Sequence, residues 1–311
     1  MIHPISTSPI MSVEEQELMQ QLEVTRFLLE EMGGSLPREQ MVTKQLTTVL
    51  DVACGVGGWV LDVARTYPHL QVTGIDIYKP CLEYAQHFVN KGGLANARFL
   101  ARDMRLLDRD TNTFSAGSID LINVAFIAST LLSTGYTSLM HTFVRLCRPG
   151  GLLRWTEMEF PITNSPAFER LTALVCRALH VAGQTFIPPS LQIYDQIFTA
   201  WRREEGRDIQ PAERRHVGIT PMLGSWLRRA GCHAVQSFPT AIEVSTGTVA
   251  HPYFVRQVEV FGQHIAPFLR TQGVILTDDL TALLNKVQDE IQQADFCGLC
   301  FILTVCATKP A

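Results

Sequence analysis

Residues 48–64 read TVLDVACGVGGWVLDVA. A short apolar run carries an acid, Asp51, near its end; glycines follow at 55, 57 and 58, and from Trp59 onward apolar residues recur at helical spacing. The order predicted is strand, glycine bend, helix. Glycine allows torsions that other residues resist, bare backbone lets a ligand lie close, and a helix N-terminus presents free N–H groups. The segment reads as a ligand cradle.

The residues around the bend narrow the choice of ligand. A dinucleotide site of the G-x-G-x-x-G type places a third glycine where the helix packs beside a pyrophosphate, whereas this chain has Val60 there. Asp51 fixes a negative charge at the strand end, which disfavours phosphate and favours a cationic group such as an amino acid's ammonium. The next apolar run, QVTGID, ends in Asp76, nineteen residues after Gly57. A carboxylate at that distance can accept hydrogen bonds from both hydroxyls of a ribose. A ligand with an amino acid end and a nucleoside end is implied.

Outward from the bend, β-branched runs (QVTGIDI, ARFLA, IDLINVAF, LLRWTEM) alternate with helical patterns, as in a parallel sheet built from crossover units. Pro80 stands where a helix can begin, so 80–90 is read as a helix. RLCRPGG ends a helix with basic residues and turns into a strand at 152–158. Upstream, 13–32 has the pattern of an amphipathic helix stopped by Gly33-Gly34. After Glu159 the alternation breaks, with helical patterns near 166–182 and 190–205 flanking Pro188-Pro189. It resumes at TPMLGSWLRRAGCHAVQSF, yields to helices within 251–295, and closes with the apolar strand LCFILTVCATKP. The organisation expected is an N-terminal helical cap at 1–46, an α/β core at 47–158, a helical lid insertion at 159–218, and the rest of the core at 219–311.

With 26 Lys+Arg against 30 Asp+Glu, a net charge of −4, and 46% hydrophobic residues, the composition excludes a disordered chain or coiled coil and argues against a protein that wraps nucleic acid. No apolar run is long enough for a membrane span, and the start MIHPISTSPIMSVEEQ lacks a basic end and apolar stretch, so a cytoplasmic protein is expected. The eight cysteines lie in apolar surroundings and read as reduced packing residues. Cys297 and Cys300 fall in a strand, where positions three apart face opposite ways, so neither a redox pair nor a metal site is expected.

Taken together, these segments resemble the class I S-adenosylmethionine (AdoMet) dependent methyltransferases over residues 47–158 and 219–240. The resemblance implies a doubly wound, seven-stranded Rossmann-like α/β sheet, mostly parallel with an antiparallel last strand, plus helical lid insertions. It implies that Asp51, Ala53, Cys54, Gly55 and Gly57 line the methionine portion of AdoMet and that Asp76 binds the ribose with Ile77 beside the adenine. Asp103 and Met104 would reach the adenine, and Asn123 to Phe126 would pass beneath the sulfonium. The product would be S-adenosyl-L-homocysteine.

Bases for the acceptor belong at strand ends or in the lid. Glu157, Tyr194 and His216 are the candidates, with His180 and His141 weighed beside them. Five arginines in 201–216 could bind an anionic acceptor but are diluted by four acids, and Phe186, Ile187, Ile193, Phe198 and Trp201 suggest an apolar or aromatic one. The expected activity is methyl transfer to O, C or N of a small metabolite. The alternatives are an AdoMet-binding enzyme that steers a cyclisation or rearrangement without losing the methyl, and a macromolecule methyltransferase. The helices of 251–295 offer a surface for a homodimer.

Overall fold

The computed structural model describes residues 13–37, 46–128, 130, 133–185, 217–275 and 277–311. The chain forms two compact units, Met1–Asp110 and Thr111–Ala311.

In the first unit, helix α1 (Val13–Glu31) precedes β1 (Thr48–Val52), α2 (Gly58–Thr66), β2 (Gln71–Asp76), α3 (Lys79–Gly92) and β3 (Ala97–Ala101). The strands are parallel in the order β3-β2-β1, with Asp51 level with Gly74 and Asp76 level with Ala101. Parallel neighbours require crossovers, and α2 and α3 supply them. Leu50, Val52, Val60, Val63 and Ile75 are fully buried between sheet and helices. Pro80 lies in the first turn of α3, and Gly93, at φ +63, ends it in the left-handed conformation that glycine tolerates. Asn96 donates from one amide nitrogen to Ala64 O at 3.0 Å and Leu70 O at 2.9 Å, tying the end of the α2 crossover to the start of β3.

The second unit contains β4 (Ile119–Ala125), α4 (Gly135–Leu146), β5 (Cys147–Met158), β6 (Ile162–Thr163), α5 (Pro166–Val181), α6 (Thr220–Arg229), β7 (His233–Glu243), α7 (His251–Thr271), α8 (Thr277–Ile291) and β8 (Gly298–Thr308). β4 and β5 are parallel; β8 runs antiparallel to β5 on one side and to β7 and the two-residue β6 on the other. Across the two units the sheet strands are mostly parallel with an antiparallel last strand, and β6 is a short addition to the seven expected. The core centres on Trp155, stacked on Tyr136 at 6.2 Å between ring centroids, with Trp226 stacked on the same tyrosine at 5.5 Å.

β5 starts at Cys147, ahead of the expected Leu152, because the RPGG stretch is itself paired. Its register jumps from Ile119↔Cys147 to Leu121↔Leu152. Gly150 sits at φ +70, and a Cβ on Gly151 would come within 2.9 Å of Asp120 O. Arg148 pairs with Asp120 at the same bulge. β7 runs on to Glu243, past the expected end near Phe238.

α5, α7 and α8 pack together. Glu290 on α8 accepts from Ser165 Oγ at 2.7 Å and Ala167 N at 2.8 Å at the start of α5. Phe168 meets Phe254 edge-on at 5.5 Å. The helix expected near 190–205 lies outside the described residues. Among the described residues no helix is long and apolar enough to cross a membrane. Cys297 is exposed just ahead of β8, outside the strand in which it was expected, while Cys300 is buried within β8; both are free thiols.

Candidate functional site

In the first unit, Asp51 is 3% exposed at the end of β1. The chain then turns through left-handed torsions at Ala53 (φ 57), Gly55 (φ 52) and Gly57 (φ 73), pinned by Cys54 N to Ile75 O and Gly57 N to Cys54 O, both 2.9 Å. Two of these glycines serve different ends. A Cβ on Gly57 would lie 2.5 Å from the Phe99 ring and 2.8 Å from Ala85 Cβ, so packing demands glycine there. A Cβ on Gly55 would meet nothing within 4 Å, so its bare backbone faces open space. Gly57 caps α2 without a side-chain hydrogen bond.

Asp76 closes the cradle. Its Oδ2 accepts from Gly55 N and its Oδ1 from Tyr78 N, each at 2.9 Å. A carboxylate offers about four acceptor positions, so capacity remains for hydroxyls. Ile77, beside it, is 64% exposed, an apolar side chain without cover at the strand end. Asp51, Ala53, Cys54, Gly55, Gly57, Asp76 and Ile77 are therefore gathered around one bend.

Cys54 is a packing residue. Burial, then the charges of Asp51 and Asp76, push its thiol well above its ordinary range, which disfavours a nucleophilic thiolate. Asp103 and Met104 follow β3, the neighbour of β2. Asp103 accepts from Arg105 N at 2.9 Å and pairs with its guanidinium, the shortest contact being 2.6 Å from Nη2. That partner holds the carboxyl below its usual range.

These residues fit AdoMet in kind: a buried anion for an ammonium, open backbone at a bend, a carboxylate with free acceptor positions and an uncovered apolar side chain for a base.

In the second unit, Asn123 is fully buried, and its Oδ1 accepts from Arg154 Nη1 at 2.7 Å; its side chain is engaged inside the sheet. Phe126, just past β4, is the residue that reaches solvent. It is 40% exposed, holds φ 55, and donates its N–H to Thr156 O at 2.9 Å.

Glu157 lies in β5 with no exposed surface. Its Oε1 accepts from Trp155 Nε1 at 2.8 Å and Ile127 N at 3.1 Å, and its Oε2 from Ala128 N at 3.3 Å. Burial raises its pKa to about 7 against the pull of those three donors. Glu159, beyond the strand end, has a different task. Its Oε2 accepts from Val217 N at 2.9 Å and Gly218 N at 3.1 Å, and its Oε1 from Thr220 N at 3.1 Å and Thr220 Oγ1 at 3.0 Å. It clasps the two ends of the insertion and caps α6.

Tyr194, His216, the arginine run and the apolar residues at 186–201 lie outside the described residues. His141 is exposed on α4, and His180 meets Thr185 Oγ1 at 3.2 Å at the end of α5. The clasp by Glu159 and the contacts of Glu157 with 127 and 128 had no signal in the sequence, because they join positions 58 and about 30 apart.

A family model described as a methyltransferase domain matches residues 49–151. Demethylmenaquinone methyltransferase from Anoxybacillus flavithermus is 24% identical over 214 residues, 68% of this chain and 81% of that protein. Probable (S)-tetrahydroprotoberberine N-methyltransferase 2 from Papaver bracteatum is 36% identical over 81 residues, 26% of this chain; the chain spans only 23% of that protein's length. The crystal structure of the YcgJ protein from Bacillus subtilis superposes with a TM-score of 0.50 at 14% identity, covering 91% of this chain and 99% of that one. The family model makes residues 49–151 a methyltransferase domain, and the α/β sheet has the fold of the solved neighbour.

Proposed function

We propose that the protein moves the sulfonium methyl of AdoMet to an oxygen, carbon or nitrogen atom of a small apolar or aromatic metabolite. The observation that carries the cofactor half of this reading is the open backbone at Gly55 beside the Asp76 carboxylate.

Bound AdoMet would supply an already electrophilic methyl group. The chain's residues then have to bind, orient and exclude water. Asp76 would accept from the ribose hydroxyls with the oxygen capacity that Gly55 and Tyr78 leave. Asp51 would face the ammonium, the bend from Ala53 to Gly57 would carry the methionine portion, and Ile77 would cover the adenine. Met104 would offer backbone to the same ring, and Asp103 would accept from the adenine amino group only alongside Arg105, its present partner. Holding an acceptor atom in line with the S–CH₃ bond can lower the barrier by roughly 7–11 kcal/mol. A base is needed for an alcohol or carbon acid and not for an acceptor that arrives ionised.

The small-molecule reading draws support from two relatives named for acting on demethylmenaquinone and on tetrahydroprotoberberine. The apolar composition of 186–201 agrees with it.

The test incubates purified protein with methyl-labelled AdoMet and a metabolite extract of its source organism, followed by mass spectrometry. A labelled small molecule is expected. Label only in protein or nucleic acid would assign a macromolecular acceptor. AdoMet binding with no label in any fraction would move the assignment to an enzyme that keeps the methyl on sulfur.

A further inference from the structure

Helices α1 and α3 leave a cavity of about 720 Å³ between them inside the first unit, within the size range of small-molecule sites. Its lining includes Leu18, Leu22, Glu23 and Arg26 on α1, and Tyr84 and Phe88 on α3. Each set recurs at three- and four-residue spacing, so each shares one helix face. The gap has a packing cause. A Cβ on Gly58, at the start of α2, would lie 2.6 Å from Thr25 and 3.3 Å from Leu22. The bare glycine lets α1 rest directly on α2, and α1 then stands away from α3.

Floor and rim of the cavity differ in chemistry. Leu18 and Leu22, both buried, form an apolar floor. On the α3 side the Phe88 ring meets Tyr84 edge-on at 5.1 Å. The rim carries Glu15 and Glu23 from α1 and Glu83 from α3, so three carboxylates face one guanidinium, Arg26, with His87 beside them. Burial raises the half-buried Tyr84 phenol above its ordinary range, and the charges of Arg26, Glu23 and Glu15 act on the same hydroxyl. Among the described residues that hydroxyl makes no hydrogen bond, which leaves it open to a ligand.

We propose that the cavity between α1 and α3 binds a small organic cation, an ammonium group carried on an aromatic or aliphatic body. The body packs on Leu18, Leu22 and the Phe88 ring, while the ammonium reaches Glu15, Glu23 and the Tyr84 hydroxyl. An anion is disfavoured because carboxylates outnumber the guanidinium, and a neutral ligand gains the floor without the rim. The site needs neither bound AdoMet nor methyl transfer, so its failure and that of the proposed function are separate.

The experiment titrates full-length protein with phenethylammonium, 2-phenylethanol and phenylacetate, which share a body and differ in charge, and reads dissociation constants by saturation-transfer NMR. Phenethylammonium should bind roughly tenfold more tightly than 2-phenylethanol, and phenylacetate more weakly than either. Glu23→Gln should weaken phenethylammonium by about threefold and leave 2-phenylethanol unchanged, whereas Arg26→Ala removes a like charge and should tighten phenethylammonium by about the same factor. Both side chains are exposed, so neither change threatens the fold. Tyr84→Leu should weaken both ligands and so locate them in the cavity. Equal affinity for the ammonium and the alcohol, preference for phenylacetate, or no saturable binding of phenethylammonium would overturn the proposal. Binding indifferent to all three substitutions would overturn it too, by placing the ligand elsewhere. A dimer in sedimentation that Tyr84→Arg splits would assign the cavity to a second copy of the chain instead.

Discussion

The carboxylate of Asp76 accepts the backbone N–H of Gly55 at 2.9 Å, so the acid that ends β2 also shapes the glycine bend that follows β1. One side chain thus sets the form of the cradle and, on the proposed function, would also set its affinity for a ribose. Replacing Asp76 with Ala should weaken S-adenosylhomocysteine binding by about 1–3 kcal/mol, roughly 5- to 150-fold, as measured by calorimetry. Asp76→Asn keeps one acceptor oxygen and should lose less. An alanine variant with wild-type affinity would remove Asp76 from the site.

Gly55 and Gly57 separate binding from folding. Ala at 57 must hold φ near +73 and push its Cβ into Phe99 and Ala85, at a cost of about 2–4 kcal/mol in urea unfolding. Ala at 55 meets open space and should cost only about 1–2 kcal/mol, the backbone penalty. Its methyl group projects into the cradle, so its loss of S-adenosylhomocysteine affinity should exceed its loss of stability. The reverse ranking would mean that the open face at Gly55 is not where the ligand lies.

Glu157 ties the stability of the fold to pH. Its folded-state value, near 7, stands above the ordinary 4.5, so the folded protein holds this proton more tightly than the unfolded chain. The stability it contributes is therefore full below about pH 4.5 and is lost as pH rises through 7, by about 3 kcal/mol in all. Comparing urea midpoints at pH 5 and pH 8, the Glu157→Gln variant should gain on wild type at the higher pH. A constant difference between the two proteins would show that Glu157 titrates normally.

Glu159→Ala leaves the N–H groups of Val217, Gly218 and Thr220 without their acceptor. A drop of about 2–4 kcal/mol is expected from the loss of several charge-assisted hydrogen bonds. Thermal unfolding would measure it, and a change under about 0.5 kcal/mol, the level of an unremarkable surface substitution, would show that the clasp carries no weight.

Where an element depends on neighbours in sequence, the sequence pointed to it. The strand at 48–52, the helix begun by Pro80, the helix at 166–182 and the helices of 251–295 appear as β1, α3, α5, α7 and α8 with ends shifted by a residue or a few. The bend at 53–57 was equally legible, since its glycines carry local backbone constraints. Acids near the end of β5 were not. Glu157 and Glu159 read alike as candidates at a strand end, yet one turns inward to hold a turn 30 residues earlier and the other reaches 58 residues forward. Long-range partners like these leave no periodicity. Asn123 likewise reads as a cofactor neighbour until the fold places Arg154 against it. The early start of β5 was hidden because Pro149-Gly150 signals a turn, and the bulge opposite Asp120 lets that turn stay in the sheet.

The clasp at Glu159 has a bearing on descent. The stretch between it and Val217 leaves β5 and re-enters at α6 from a single carboxylate, and the entropic cost of closing such a loop grows only slowly with its length. Insertions and deletions between the end of α5 and Val217 therefore carry a small closure cost, whereas α5 itself is held by its packing on α7 and α8. Selection for a new acceptor can act on that stretch while the Asp76 cradle stays fixed, which makes the chain a frame on which substrate range is free to diverge faster than cofactor use.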